Sequence, residues 1–186
     1  MEQPENRRTR LTKTLLKTSL IELMQSGSIQ KITIKSICEK ADLNRSTFYL
    51  HYDDQYALLR DVEQETIDNA LAYLQNVDSG ISSLAYVQAL MDYIRKHKAV
   101  FQVLLCHQEA QTFQALFARN ITAHLKSRLH FSCKPEVETY IFSFLVQGCA
   151  SILRDWINND FDVSGDEIAS LIFTLSGSSL AAFLAT

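Results

Sequence analysis

TIKSICEKADLNRSTFYLHY, residues 33–52, is the stretch whose reading decides the fold. Ile34, Ile37, Cys38 and Ala41 recur at helical spacing and predict a short helix over 34–40. Thr33 stands where an N-cap belongs. Asp42 and Leu43 form a turn, with Leu43 plugged between two helices, and Asn44 caps a second helix from Arg45 to His51 or Tyr52. That second helix carries Arg45, Ser46, Thr47, Tyr49 and His51 within seven residues. Phe48 and Tyr52 belong to the core, and Ile37, Cys38, Ala41, Leu43 and Phe48 form the apolar clamp. A clamped helix pair with donors, a cation and aromatic rings crowded on its second member has the layout of a helix-turn-helix. In that motif one helix enters the DNA major groove while the other braces it.

The flanks extend this motif into an all-α chain of about nine helices. The first helix runs from Arg7 to Gln25, with Leu15, Leu16, Ser19, Leu20, Leu23 and Met24 as its apolar stripe, and Gly27 follows it. Asp53 is the expected N-cap of a long helix over 54–76 with Leu58, Leu59, Val62, Ile67, Leu71 and Leu74 apolar. VDSG at 77–80 reads as a linker. Further helices are expected over 82–96, 99–106, 111–129, 136–158 and 164–184, with NNDFDVSGDE, 158–167, as a surface loop. Five Gly and two Pro in 186 residues leave little room for turn-rich β structure. The domain reading is a DNA-binding head over 1–53, a connecting helix over 54–76 and a helical regulatory and dimerisation body over 77–186.

Charge follows the same division. Residues 1–52 hold nine Lys and Arg against five Asp and Glu, whereas the remainder holds nine against sixteen. A basic head on an acidic body suits a protein that meets phosphates through the head alone. Arg7, Arg8, Arg10, Lys13 and Lys17 open the first helix, where they oppose its dipole. Their functional reading is an arm that tracks the phosphate backbone. Cys38, Cys106, Cys133 and Cys149 form no C-x-x-C pair, so their spacing does not point to zinc, and no cofactor is implied. The N-terminus lacks an apolar signal region, which leads us to expect a cytoplasmic protein with reduced thiols. Residues 168–186 carry no charge over nineteen positions. Serines and threonines dilute them, and Ile168, Leu171, Ile172, Leu175, Ala182 and Phe183 are expected on one face, opposite Phe173, Leu180 and Leu184. Two apolar faces suit a helix held between its own core and a partner subunit rather than a membrane span. The chain has no H-E-x-x-H, G-x-S-x-G or phosphate loop, so the expectation is not an enzyme.

Side-chain chemistry sorts the expected contacts. Arg45 and Ser46 sit at the start of the second helix, where side chains reach base edges. An Arg paired bidentately with guanine supplies ~1–3 kcal/mol of discrimination. Thr47, Tyr49 and His51 suit phosphate or sugar and fix register. Thr33, with the free amides of the first motif helix, offers a second phosphate site.

The segment 34–52, and above all the T-F-Y-x-H-Y run followed by Leu58 and Leu59, resembles the DNA-binding domain of the TetR family of transcriptional regulators. The resemblance covers residues 7–63. It implies Arg45, Ser46, Tyr49 and Leu50 near bases and Thr33, Thr47, Tyr49 and His51 near phosphates of double-stranded DNA. One departure stands out: where the family usually has a Lys facing a phosphate, this chain has Gln55 after Asp53 and Asp54. More weakly, F144-L145-V146-Q147-G148 and I152-L153-R154-D155-W156-I157 resemble a family subtype whose last two helices pair with those of a second subunit. The expected homodimer seam is Ile141, Phe144, Gly148, Ser151, Ile152, Ile172, Leu175 and Ser179, while Phe142, Val146, Leu153 and Leu184 are monomer core. A dimer presents two recognition helices about one DNA turn apart, ~34–36 Å, to a palindromic operator. The resemblance further implies a small-molecule effector cavity among the fourth to seventh helices, for which Tyr86, Tyr93, Phe101, Phe113 and Phe117 are candidates. The functional expectation is a ligand-responsive repressor. Its alternative is a helical regulator or adaptor controlled by a protein partner, an activator included.

Overall fold

The structure, a computed structural model, describes residues 7–77, 83–106, 111–127, 132–180 and 183. All regular structure among them is helical. The chain divides into two compact units, Met1–Thr66 and Ile67–Thr186. The division falls inside the connecting helix rather than at residue 53, because the first turns of that helix give Leu58 and Val62 to the buried set of the head.

The head comprises α1 (Arg7–Met24), a 3-10 turn (Ile29–Lys31), α2 (Ile34–Ala41), α3 (Arg45–Tyr49) and the start of α4 (Gln55–Gln75). Leu16, Leu20 and Met24, four residues apart, line the buried face of α1. The stripe is rotated from the expected one: Ile21 is buried, Leu23 half-buried and Leu15 exposed. Ser28 caps the 3-10 turn by accepting from the Gln30 amide. Thr33 and Ser36 form a reciprocal capping box at the start of α2. Asp42 ends α2 in the left-handed region, φ 53°, a conformation that Asp tolerates better than most side chains. The Leu43 amide then donates to the Cys38 carbonyl at 2.9 Å, and Leu43 lies half-buried after the turn.

Two expected caps change. Asn44 occupies the N-cap position of α3 but makes no side-chain cap bond; its backbone carbonyl accepts from Thr47 and Phe48. Asp54, not Asp53, caps α4, its Oδ1 accepting from the Ala57 amide at 2.7 Å. α3 is also shorter than expected. The Phe48 carbonyl accepts from both His51 and Tyr52, which turns the chain before α4. Phe48 is fully buried, its ring 5.7 Å from Tyr49 and 5.8 Å from Tyr52.

The second unit holds the rest of α4 with α5 (Leu84–Lys96), α6 (Lys98–Cys106), α7 (Gln111–Lys126), α8 (Pro135–Asn158) and α9 (Gly165–Leu180). α5 packs most extensively on α9, while α6 and α7 both lie on α8. Pro135 opens α8, where its missing amide costs nothing. Ser164 and Glu167 exchange hydrogen bonds across the first turn of α9. Between α8 and α9, Asp160 and Phe161 both adopt positive φ, 57° and 61°. A bulky residue rarely holds that conformation. Phe161 is held there by its edge-to-face contact with Trp156, centroids 4.7 Å apart, and by its amide bond to the Trp156 carbonyl at 2.9 Å. Trp156 in turn donates from Nε1 to the Val163 carbonyl at 2.8 Å.

α9 does not divide as expected. Ile168, Ala169 and Ile172 are buried, whereas Leu171 and Leu175 are exposed. At 100° per residue these four positions share an arc of about 100°, and the packing partners cover only the side that holds 168 and 172. Ala182 and Leu184 lie outside the described residues. No helix among the described residues is long and apolar enough to cross a membrane.

Candidate nucleic-acid interface

The buried Phe48 anchors α3 so that its other side chains project away from the head. Arg45, Ser46, Tyr49 and Leu50 are exposed, and Thr47 and His51 are half-buried. Leu50 is 78 % exposed, an apolar side chain standing in solvent at the end of a short helix. These six therefore share one connected segment, residues 45–51. Thr33 is exposed too, but the capping box engages its hydroxyl and its amide. The amides of Ile34 and Lys35, at the first turn of α2, remain the donors available to an anion there. At α4 the Asp54 carboxylate already fills the helix start, and Gln55 adds no cation.

The residues expected at the seam differ in exposure. On α8, Phe144 is 71 % exposed, Gly148 and Ser151 are exposed, and Ile141 and Ile152 are half-buried. Leu175 of α9 is exposed as well. Ile172 is a correction: it is 7 % exposed, lies inside the protomer and is unavailable to a partner. The Ser179 side chain lies outside the described residues. The expected seam leaves out Tyr140, at 76 % exposure; Leu171, expected on the same α9 face as Leu175, is exposed too. Tyr140 stands four residues before Phe144, and that spacing was the signal. Phe142, Val146 and Leu153 are buried, as monomer core requires.

A cavity of about 350 Å³ opens inside the second unit. Its wall comes from the end of α4 and from α5, α7, α8 and α9, not from the fourth to seventh helices alone. Tyr86 and Phe117 line it; Tyr93, Phe101 and Phe113 do not. Those three pack instead into an aromatic cluster, with Tyr93 against Phe101 at 6.0 Å and Phe113 against Phe117 at 5.7 Å.

A family model for TetR C-terminal domains, described as "Transcriptional regulator C-terminal region", matches residues 82–177, more than half of the chain. The chain belongs to the TetR family of transcriptional regulators. An uncharacterized HTH-type transcriptional regulator of Bacillus subtilis (strain 168), YxbF, is 23 % identical over 167 residues, 86 % of this chain. The match spans only 43 % of that relative's length. Among solved structures, a TetR transcriptional regulator from Streptococcus agalactiae 2603V superposes with a TM-score of 0.71 at 19 % identity, covering 91 % of this chain and 96 % of that one. The dihydroxyacetone kinase operon activator DhaS gives 0.64 at 20 % identity, covering 94 % and 98 %. A SmeT–triclosan complex gives 0.71 at 11 % identity, covering 94 % and 92 %. At these identities the structural likeness speaks for the fold.

In this TetR-family head, one polar network ties the end of the motif to α4 and α1. Tyr52 donates its hydroxyl to Asp61 Oδ2 at 2.6 Å, and Lys17 Nζ lies 2.8 Å from Asp61 and 2.6 Å from Glu65. Burial opposes the charge on Asp61, but the bonds from Lys17 and Tyr52 outweigh it and hold the carboxyl below its ordinary range. Burial likewise opposes the Lys17 charge, and Asp61 and Glu65 outweigh it, so the ammonium titrates above its usual value. The lowered carboxyl contributes stability that is present at neutral pH and is lost as pH falls through its folded value. The raised ammonium contributes stability that is lost only as pH rises through its own folded value, above the normal Lys range. The head should therefore be steady through the neutral range. Asp61→Asn should lower its melting temperature at pH 7 and flatten the acid limb of its stability curve. Melting curves followed from pH 3 to pH 8 check this, and an acid limb identical to that of the parent protein would remove the network from the account.

Proposed function

We propose that this chain is a homodimeric repressor that reads a palindromic operator through α3 and releases it when a small molecule fills the cavity of the second unit. The observation that carries the reading is the exposed set Arg45, Ser46, Tyr49 and Leu50 on a helix pinned from behind by the fully buried Phe48. Arg45 reads a guanine, Ser46 an adjacent base edge, and Leu50 packs on a thymine methyl. Thr47, Tyr49 and His51, with the α2 amides, hold phosphates and set register. The α4 start contributes no phosphate contact, because Asp54 caps it. One contact fewer makes the salt slope of log K shallower by about 0.9. The effector acts by binding one conformation of the dimer better than the other, a coupling of ~1–3 kcal/mol in this class of switch.

Arg45→Ala should weaken operator binding by ~1–3 kcal/mol, roughly five- to 150-fold, and relax base preference at one position. The experiment is an electrophoretic shift on the DNA beside the chain's own gene, followed by binding-site selection with the variant. No shift at low salt with an intact dimer would sink the regulator reading. Unchanged selectivity of the variant would sink only the Arg45 assignment.

A further inference from the structure

The cavity wall has a chemical signature that narrows its occupant, and this inference rests on the effector role proposed above. Among the described residues, no Lys, Arg, Asp or Glu lines the cavity. Leu74, Leu90, Phe117, Phe142, Val146 and Phe173 are representative of its surface. Two polar pairs interrupt the carbon. Tyr86 of α5 and His124 of α7 share a hydrogen bond of 2.7 Å, their rings stacked at 11° with centroids 6.2 Å apart. Cys149 of α8 and Ser176 of α9 lie 3.8 Å from each other, sulfur to oxygen. Burial pushes the Cys149 thiol up, so it is a neutral group in this wall.

We propose that the cavity takes a neutral, mostly apolar molecule bearing one hydroxyl or carbonyl, which docks against the Tyr86–His124 pair. The volume lies at the lower end of the range for pockets that enclose drug-sized ligands. An ionised ligand would leave water for a wall that offers it no opposite fixed charge, and an unpaired buried charge is heavily penalised. The one imidazole among the described lining residues is already engaged by a phenol. A hydroxyl on the ligand joins the existing Tyr86–His124 bond as a third member. Because the two side chains satisfy each other when the cavity is empty, the gain is that of one ordinary hydrogen bond, roughly three- to tenfold in affinity.

The test uses the full chain and fluorescence of N-phenyl-1-naphthylamine as an apolar probe. Naphthalene, 2-naphthol and 2-naphthoate compete with it at pH 7. The expected order is 2-naphthol ahead of naphthalene by roughly three- to tenfold, with 2-naphthoate at least about a hundredfold behind 2-naphthol. Tyr86→Phe and His124→Leu should each bring the naphthol-to-naphthalene ratio toward one. Ala150→Trp and Ser176→Phe, which fill the cavity from two different helices, should each abolish probe binding in a protein whose helical circular dichroism is intact. If the probe does not bind the parent protein, the effector cavity itself falls. If it binds, but naphthoate competes as well as naphthol or both polar variants leave the ratio unchanged, the neutral-ligand assignment falls and the cavity stands.

Discussion

Phe48→Ala should abolish DNA binding while leaving the second unit folded. Phe48, on α3, is fully buried, and its ring meets those of Tyr49 and Tyr52. Truncating a buried Phe to Ala costs ~3–5 kcal/mol, from lost transfer energy and the cavity left behind. A unit of some sixty residues has only about 3–9 kcal/mol to lose, at ~0.05–0.15 kcal/mol per residue. The Phe48 carbonyl also holds the His51 and Tyr52 amides, so the backbone that presents His51 loosens with the ring. Calorimetry should show the head transition moving down by tens of degrees or vanishing. The transition of Ile67–Thr186 should stay in place, because Phe48 belongs to the other unit. Operator affinity within tenfold of the parent protein would show that α3 does not depend on this anchor.

The head was legible from sequence because its signals are local. Thr33 and Ser36 lie three residues apart and cap each other, and Ile37, Cys38 and Ala41 fall inward by helical period alone. Where a tertiary neighbour decides, the reading drifted. Nothing in RSTFYLHY says that one carbonyl, that of Phe48, will take two amides and end α3 at Tyr49. Asp53 and Asp54 are chemically identical candidates for a cap, and the exit angle of the chain selects the second. The α1 stripe slipped because Leu15 and Ile21 are both apolar, and only the position of the packing partners tells which is covered.

The second unit shows a different kind of limit. A cavity is lined by the same residue types as a packed core, so Tyr86 and Tyr93, seven residues apart on α5, looked equivalent. Tyr86 borders the void and Tyr93 stacks on His97 at 4.4 Å. What separates them is the absence of atoms on one side, and an absence leaves no mark in a sequence. α9 was harder still: Ile172 and Leu175, three residues apart, share one helical face, and only the packing partners decide that the first is covered and the second exposed.

The apolar side chains left exposed on α8 and α9 shape the second large effect: Phe144→Glu should convert the proposed dimer to monomers. Tyr140, Phe144, Leu171 and Leu175 are exposed on the protomer, and the small residues Gly148 and Ser151 are exposed on α8 beside the helical positions of Tyr140 and Phe144. Large exposed apolar side chains beside small residues make a face suited to close approach of another helix pair. A carboxylate at position 144 would be carried into that contact without a partner, at a cost of ~3–5 kcal/mol, which raises the dissociation constant by more than a hundredfold. DNA binding should fall with it, since a lone head holds only a half-site. Gly148→Leu separates a seam from a mere surface. A Cβ at Gly148 meets nothing within 4 Å in the protomer, so the substitution leaves the single chain unstrained. Replacing a helical Gly should even stabilise an isolated protomer by up to ~1 kcal/mol. If α8 packs against a second copy, the same leucine pushes the subunits apart. The sign therefore decides: sedimentation should show weakened dimers in the Gly148→Leu protein and monomers in the Phe144→Glu protein. Two dimers of undiminished affinity, with the Gly148→Leu protein melting higher, would place the interface elsewhere.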